Sequence, residues 1–121
     1  PDLYPESPEY QVMPRVFATG FMVGLLEWAA ILDLKPHLES YEDSLGTLVN
    51  IRHCAPTPPG ATLEVTAECI TSDFPYFEWK VTAIDGEGEI AATGVHGRNV
   101  IDTARFLRRV EKKSASLAHT K

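Results

Sequence analysis

From Gly20 to Leu32 the chain runs thirteen residues with one ionisable side chain, Glu27, and no other feature limits the fold so much. A bilayer crossing needs about 20 apolar residues, so this run predicts a core helix and no membrane span. Thr19-Gly20 leads into it, and Pro36 stops it soon after Leu34. Apolar residues sit on nearly every side, which predicts a helix enclosed by other elements. Gly20 and Gly24 offer one bare side that another backbone can approach.

The chain beyond residue 44 alternates. Leu45, Thr47, Val49, Ile51 and His53 are expected on one strand face. Leu63, Val65, Ala67 and Cys69 alternate with Thr62, Glu64, Thr66 and Glu68. Phe77, Trp79, Val81 and Ala83 alternate with Glu78, Lys80 and Thr82, and a less regular run covers Glu89 to Ile101. Turn residues separate them at Pro56–Gly60, Ser72–Pro75 and Asp85–Gly88. The polar stretch 35–44 reads as a loop, 102–113 as a short helix and 114–121 as a frayed tail. Pro1, Pro5, Pro8 and Pro14 keep the first fifteen residues from being a regular helix, while Tyr4, Tyr10, Val12 and Met13 give that arm groups to bury.

One buried helix followed by consecutive antiparallel strands is an α+β layout, with the sheet laid around the helix. Its 121 residues form a single domain with 44% hydrophobic content, enough for one modest core. Open sheet edges need cover, and pairing between two copies supplies it, so a homodimer is expected.

The net charge of -6 argues against nucleic acid as a partner. Residues 1–104 hold 16 acids and 5 bases, whereas 105–121 hold 6 bases and 1 acid. That basic segment is a solvated tail, or an aid to a phosphate-bearing ligand. Cys54 and Cys69 lack metal or redox spacing and read as free thiols in a reducing cytoplasm. Nothing in the sequence marks secretion, and the start at Pro1 without methionine suggests a trimmed or incomplete N-terminus.

Glu27 carries the strongest chemical signal. Its helical neighbours are Gly20, Val23, Gly24, Ala30, Ile31 and Leu34. A carboxylate on such a stripe is paired, protonated or functional, unless it fills the helix's one solvent-facing slot. His53 ends the Leu45–Ile51 face and should point at the helix, as a core histidine or as an acid–base group beside a carboxylate. Thr19 suits an N-cap or the site itself. Were both helical, Thr19 and Glu27 would stand about 12 Å apart along the axis, so one helix cannot bring both to one atom without a bend or a second subunit. Gly46 marks a bulge or the close approach of a ligand. His96 and Arg98 share a face of the last strand, where Arg98 suits a phosphate or a surface ion pair. Walker, dinucleotide, zinc and serine-elbow motifs are absent, which points to chemistry needing neither cofactor nor metal.

The arm LYPESPEY, the stretch VFATGFMVGLLEWA, the SLGT strand start, and His53 followed by PTPPG resemble the fluoroacetyl-coenzyme A thioesterases. The likeness runs from about Leu3 to near Lys113, with the motifs in order. It implies a hot-dog fold, a homodimer and hydrolysis of a short acyl-coenzyme A. It also implies catalytic roles for Thr19, Glu27 and His53 and a substrate-pocket role for Gly46. In that family an N-terminal strand precedes the arm, and this chain is expected to lack it. Phenylalanines of the family's acyl pocket are replaced here by Tyr10 and Met13. An adaptable methionine predicts weak discrimination between fluoroacetyl and acetyl groups. The rivals are a non-catalytic acyl-coenzyme A binding module and a hot-dog enoyl-thioester hydratase; the usual neighbouring aspartate–histidine pair of the latter is missing beside the helix.

Overall fold

A computed structural model describes residues 19–119. In chain order they form α1 (Thr19–Leu34), a 3-10 turn (Lys35–His37), β1 (Glu42–His53), β2 (Leu63–Asp73), β3 (Tyr76–Asp85), β4 (Ile90–Asp102) and α2 (Thr103–His119). The four strands make one antiparallel sheet in the order β1-β4-β3-β2. The β3–β4 turn is built by Asp85, whose Oδ1 accepts the backbone N–H groups of Glu87 and Glu89 at 2.9 and 3.0 Å. Gly88 closes it at φ +83°, a conformation that side chains with a Cβ resist.

α1 lies on one face of the sheet. Met22, Leu26, Ala30 and Leu34, four apart, form the stripe that helical periodicity turns inward. They pack with Trp79, Val81 and Ala83 of β3 and Ala91 and Ala92 of β4. Trp79 Nε1 donates to Asp33 Oδ2 at 2.8 Å, so the buried indole keeps a partner and ties the end of α1 to β3. Trp28 and Leu32 remain 57% and 51% exposed. The described residues therefore cover α1 on one side rather than enclosing it, because a four-stranded sheet presents one face to it.

β1 departs from simple alternation. Its register against β4 slips between Gly46 and Leu48, so Gly46 faces Arg98 while Val49 faces His96. Thr47 is the extra residue of a bulge. Residues directly opposite share a face, which places Ser44 and Gly46 on the helix side before the bulge and Val49, Ile51 and His53 after it. Leu45 and Thr47 turn outward, and Thr47 Oγ1 donates to Asn99 Oδ1 at 2.8 Å. The five-residue face expected from the sequence is thus split, since period-two patterning holds only where no residue is inserted.

Two boundaries also move. β1 starts at Glu42, within the stretch expected to be a loop, because the backbone of Glu42 to Ser44 pairs with Val100 to Asp102 whatever the side chains are. α2 continues to His119, past the point where the tail was expected to fray; no glycine or proline interrupts it.

Candidate active site

Four residues meet beneath the middle of α1. Glu27 Oε1 lies 3.8 Å from Arg98 Nη1, and Oε2 lies 3.8 Å from His96 Nε2; the glutamate side chain is 37% exposed. Gly46 approaches from β1. A Cβ built on it would stand 3.1 Å from Glu27 Oε2, 3.2 Å from His96 Cε1 and 3.3 Å from Arg98 Nη1. The missing side chain is what lets the carboxylate sit against the strand.

Arg98 is buried and anchored. Its Nε donates to Ser44 Oγ at 2.8 Å and its Nη2 to the Ser44 carbonyl at 2.9 Å. Nη1 lies 3.2 Å from His96 Nε2. His96, with no exposed surface, has its Nδ1 2.9 Å from the Leu48 carbonyl. Burial pulls the His96 pKa below the usual histidine range and Arg98 adds to this, against the Leu48 hydrogen bond and the Glu27 charge. Burial likewise lowers the Arg98 pKa, with Glu27 and Asp43 opposing.

A second pair lies toward the start of α1. Thr19 Oγ1 is 3.1 Å from His53 Nδ1. The other ring nitrogen of His53, Nε2, is buried and has no hydrogen-bond partner among the described residues. Such an atom is suited to give or take a proton.

The sequence-predicted residues therefore fall into two groups. Glu27 meets Gly46 and Arg98, while Thr19 meets His53. α1 and β1 run in opposite senses here, with Thr19 over the His53 end and Glu27 over the Gly46 end. Both Thr19 and Glu27 are helical, so their axial separation is about 12 Å. The Thr19 hydroxyl is engaged with His53 and lies too far along the helix to orient the same chain's Glu27. Arg98 is not the surface ion pair that its polarity suggested; it is a buried residue held by Ser44. Tyr10 and Met13 lie outside the described residues.

Two participants have no role in the sequence reading. His96 is placed there on one face with Arg98, and that polar pair at period two on a strand opposite a helix is the available signal. Ser44 opens the SLGT strand start without a pattern that marks it as buried, and its burial under Arg98 follows from the pairing of β1 with β4. A separate cavity of about 290 Å³, lined by Asp33, His37, Cys69, Phe77 and Trp79, opens at the far end of α1, where Asp33 already serves the Trp79 indole.

Comparison with known proteins agrees with the resemblance. Residues 5–104 match the family model described as FlK, fluoroacetyl-CoA-specific thioesterase. The fluoroacetyl-CoA thioesterase of Streptantibioticus cattleyicolor is 49% identical over 112 residues, covering 93% of this chain and 80% of that protein. A solved structure of the fluoroacetyl-CoA thioesterase FlK superposes with a TM-score of 0.86 at 48% identity, over 92% of this chain and 82% of the other. A hot-dog-like protein from Thermanaerovibrio acidaminovorans, 20% identical, superposes with a TM-score of 0.79 over 92% of this chain and 79% of the other. The last comparison bears on the fold alone.

Proposed function

The chain belongs to the fluoroacetyl-CoA-specific thioesterase family, and we propose that it hydrolyses short acyl-coenzyme A esters at a site built from Glu27, His53 and Thr19. It is a thioester hydrolase with an α+β hot-dog fold. The observation that carries the site assignment is the half-exposed Glu27 carboxylate, lodged against Gly46 beside the Arg98 guanidinium.

In this reading Glu27 attacks the thioester carbonyl, or takes a proton from the water that does. If Glu27 attacks, the carbon–sulfur bond breaks with loss of the thiolate and leaves a mixed anhydride on Glu27, which water then hydrolyses to the free acid. If water attacks, the same bond breaks and the free acid forms directly. His53, steadied at Nδ1 by Thr19, transfers a proton through Nε2 to the departing thiolate or from water. The Gly46 backbone amide is assigned to the developing oxyanion. A reacting carbonyl must touch both the carboxylate and the imidazole, and within one chain the imidazole sits with Thr19, about 12 Å of helix axis away from Glu27. The reading therefore includes a homodimer in which His53 of the partner subunit completes the Glu27 site. Tyr10 and Met13 contribute to the acyl pocket, and Met13 leaves the enzyme tolerant of several short acyl groups. Cys54 and Cys69, both unpaired, suit a cytoplasmic setting. Among the described residues no helix is long and apolar enough to cross a membrane.

Thiol release from a panel of acyl-coenzyme A esters tests the reading. Turnover of acetyl- and fluoroacetyl-coenzyme A is expected, with a loss of about 100-fold or more in Glu27→Gln. Binding without thiol release would point to a carrier module. Consumption of an enoyl ester without thiol release would point to a hydratase.

A further inference from the structure

We propose that His96 and Ser44 are positioning residues for this reaction, holding the Arg98 guanidinium in place against the Glu27 carboxylate. The proposal rests on the assignment of Glu27 as the reacting carboxylate.

The hydrogen bonds decide the protonation of His96. The Leu48 carbonyl can only accept, so Nδ1, 2.9 Å away, carries a hydrogen. Arg98 Nη1, 3.2 Å from Nε2, can only donate. A protonated imidazole would set N–H against N–H, so Nε2 bears a lone pair and the ring is neutral. The 3.8 Å approach of Nε2 to Glu27 Oε2 is then no ion pair. Among the described residues, the cation paired with Glu27 is Arg98.

Arg98 is held at all three of its nitrogens. Nε and Nη2 reach Ser44 on β1, and Nη1 reaches His96 on β4. Nη1 keeps a second N–H, and Glu27 Oε1 lies 3.8 Å from that nitrogen. A carboxylate that must attack or take a proton has to be charged and aimed. A guanidinium fixed by neutral partners supplies the counter-charge without wandering, and the neutrality of His96 leaves Arg98 free of a competing cation. Small displacements of such groups cost large factors in rate.

The test measures thiol release from acetyl-coenzyme A for His96→Leu and His96→Gln, each in wild-type and Glu27→Gln backgrounds, with melting curves as a check on folding. A glutamine amide can offer an N–H to Leu48 and an oxygen to Arg98. His96→Leu is expected to lower kcat about ten-fold or more with KM within about two-fold, His96→Gln to recover most of it, and His96→Leu to add nothing when Glu27 is already glutamine. An unchanged kcat in His96→Leu, no recovery by glutamine, or an equal loss in both backgrounds overturns the proposal. Should His96→Leu fail to fold, Ser44→Ala decides. It removes the hydroxyl acceptor and keeps the carbonyl, and is expected to lower kcat about three-fold at constant KM; no change overturns the proposal. Full turnover in Glu27→Gln alone would instead remove the assignment on which the proposal stands.

Discussion

A methyl group on Gly46 would press on Glu27, His96 and Arg98 at 3.1 to 3.3 Å, closer than ordinary contact by a few tenths of an ångström. The Glu27 side chain is partly exposed and can move aside, so the fold tolerates the change while the aim of the carboxylate does not. Gly46→Ala is expected to cost about ten-fold in kcat with little change in Tm, measured by thiol release and thermal melting. His96 adds a pH effect at the same scale. Its folded pKa is lowered by burial, so the unfolded chain binds more protons just below about pH 6.5. The stability associated with neutral His96 is fully present above that pH and is lost as pH falls through it toward the folded value. Melting between pH 7 and 5 is expected to show a steeper acid decline in wild type than in His96→Gln. Parallel curves would mean that His96 does not contribute.

Elements hold the site at the right height. The inward stripe of α1 seats Glu27 over β1 and β4, and Leu26, fully buried, is one residue away. Leu26→Ala is expected to destabilise by about 2–5 kcal/mol in urea titration, since a cavity forms where helix and sheet meet. The β1–β4 pairing is the second support, because it carries Gly46 and Ser44 on one strand and His96 and Arg98 on the other. Gly94 lies opposite Ile51, and a Cβ there would run into the backbone at Asn50. Gly94→Ala is expected to cost about 1–3 kcal/mol by forcing the strands apart. Gly86→Ala, which meets nothing within 4 Å, should be nearly silent and serves as the control.

At the scale of the whole molecule, the separation of Thr19–His53 from Glu27 predicts a site shared between two copies. Light scattering should give about twice the chain mass of 13.4 kDa. Complementation is more decisive. Glu27→Gln and His53→Ala are each expected to be nearly inactive, yet mixed subunits would contain one intact site per heterodimer. With random exchange about a quarter of wild-type turnover should return. No recovery after verified exchange would place each site within a single chain.

Sequence alone determined the run of elements and, through the family resemblance, the reaction class. Thirteen residues of nearly apolar chain, too short for a bilayer, require a core helix, and clean alternation over Leu63–Cys69 and Phe77–Ala83 requires strands with one buried face. Glu27 stood out because a carboxylate on such a helix needs a partner, and His53 because it ends an alternating run. These are local signals, written in periodicity and in the cost of burying charge. Tertiary structure decided who the partner is. The bulge at Thr47 sets which residues of β1 face inward, and periodicity cannot register an inserted residue. Arg98 has no local mark that separates a surface cation from a buried one. Its burial depends on Ser44, 54 positions earlier in the chain, arriving opposite it through strand pairing. The tautomer of His96 likewise follows from a carbonyl 48 positions away. Contacts across such distances are set by how the sheet closes, and they determine which charge faces Glu27.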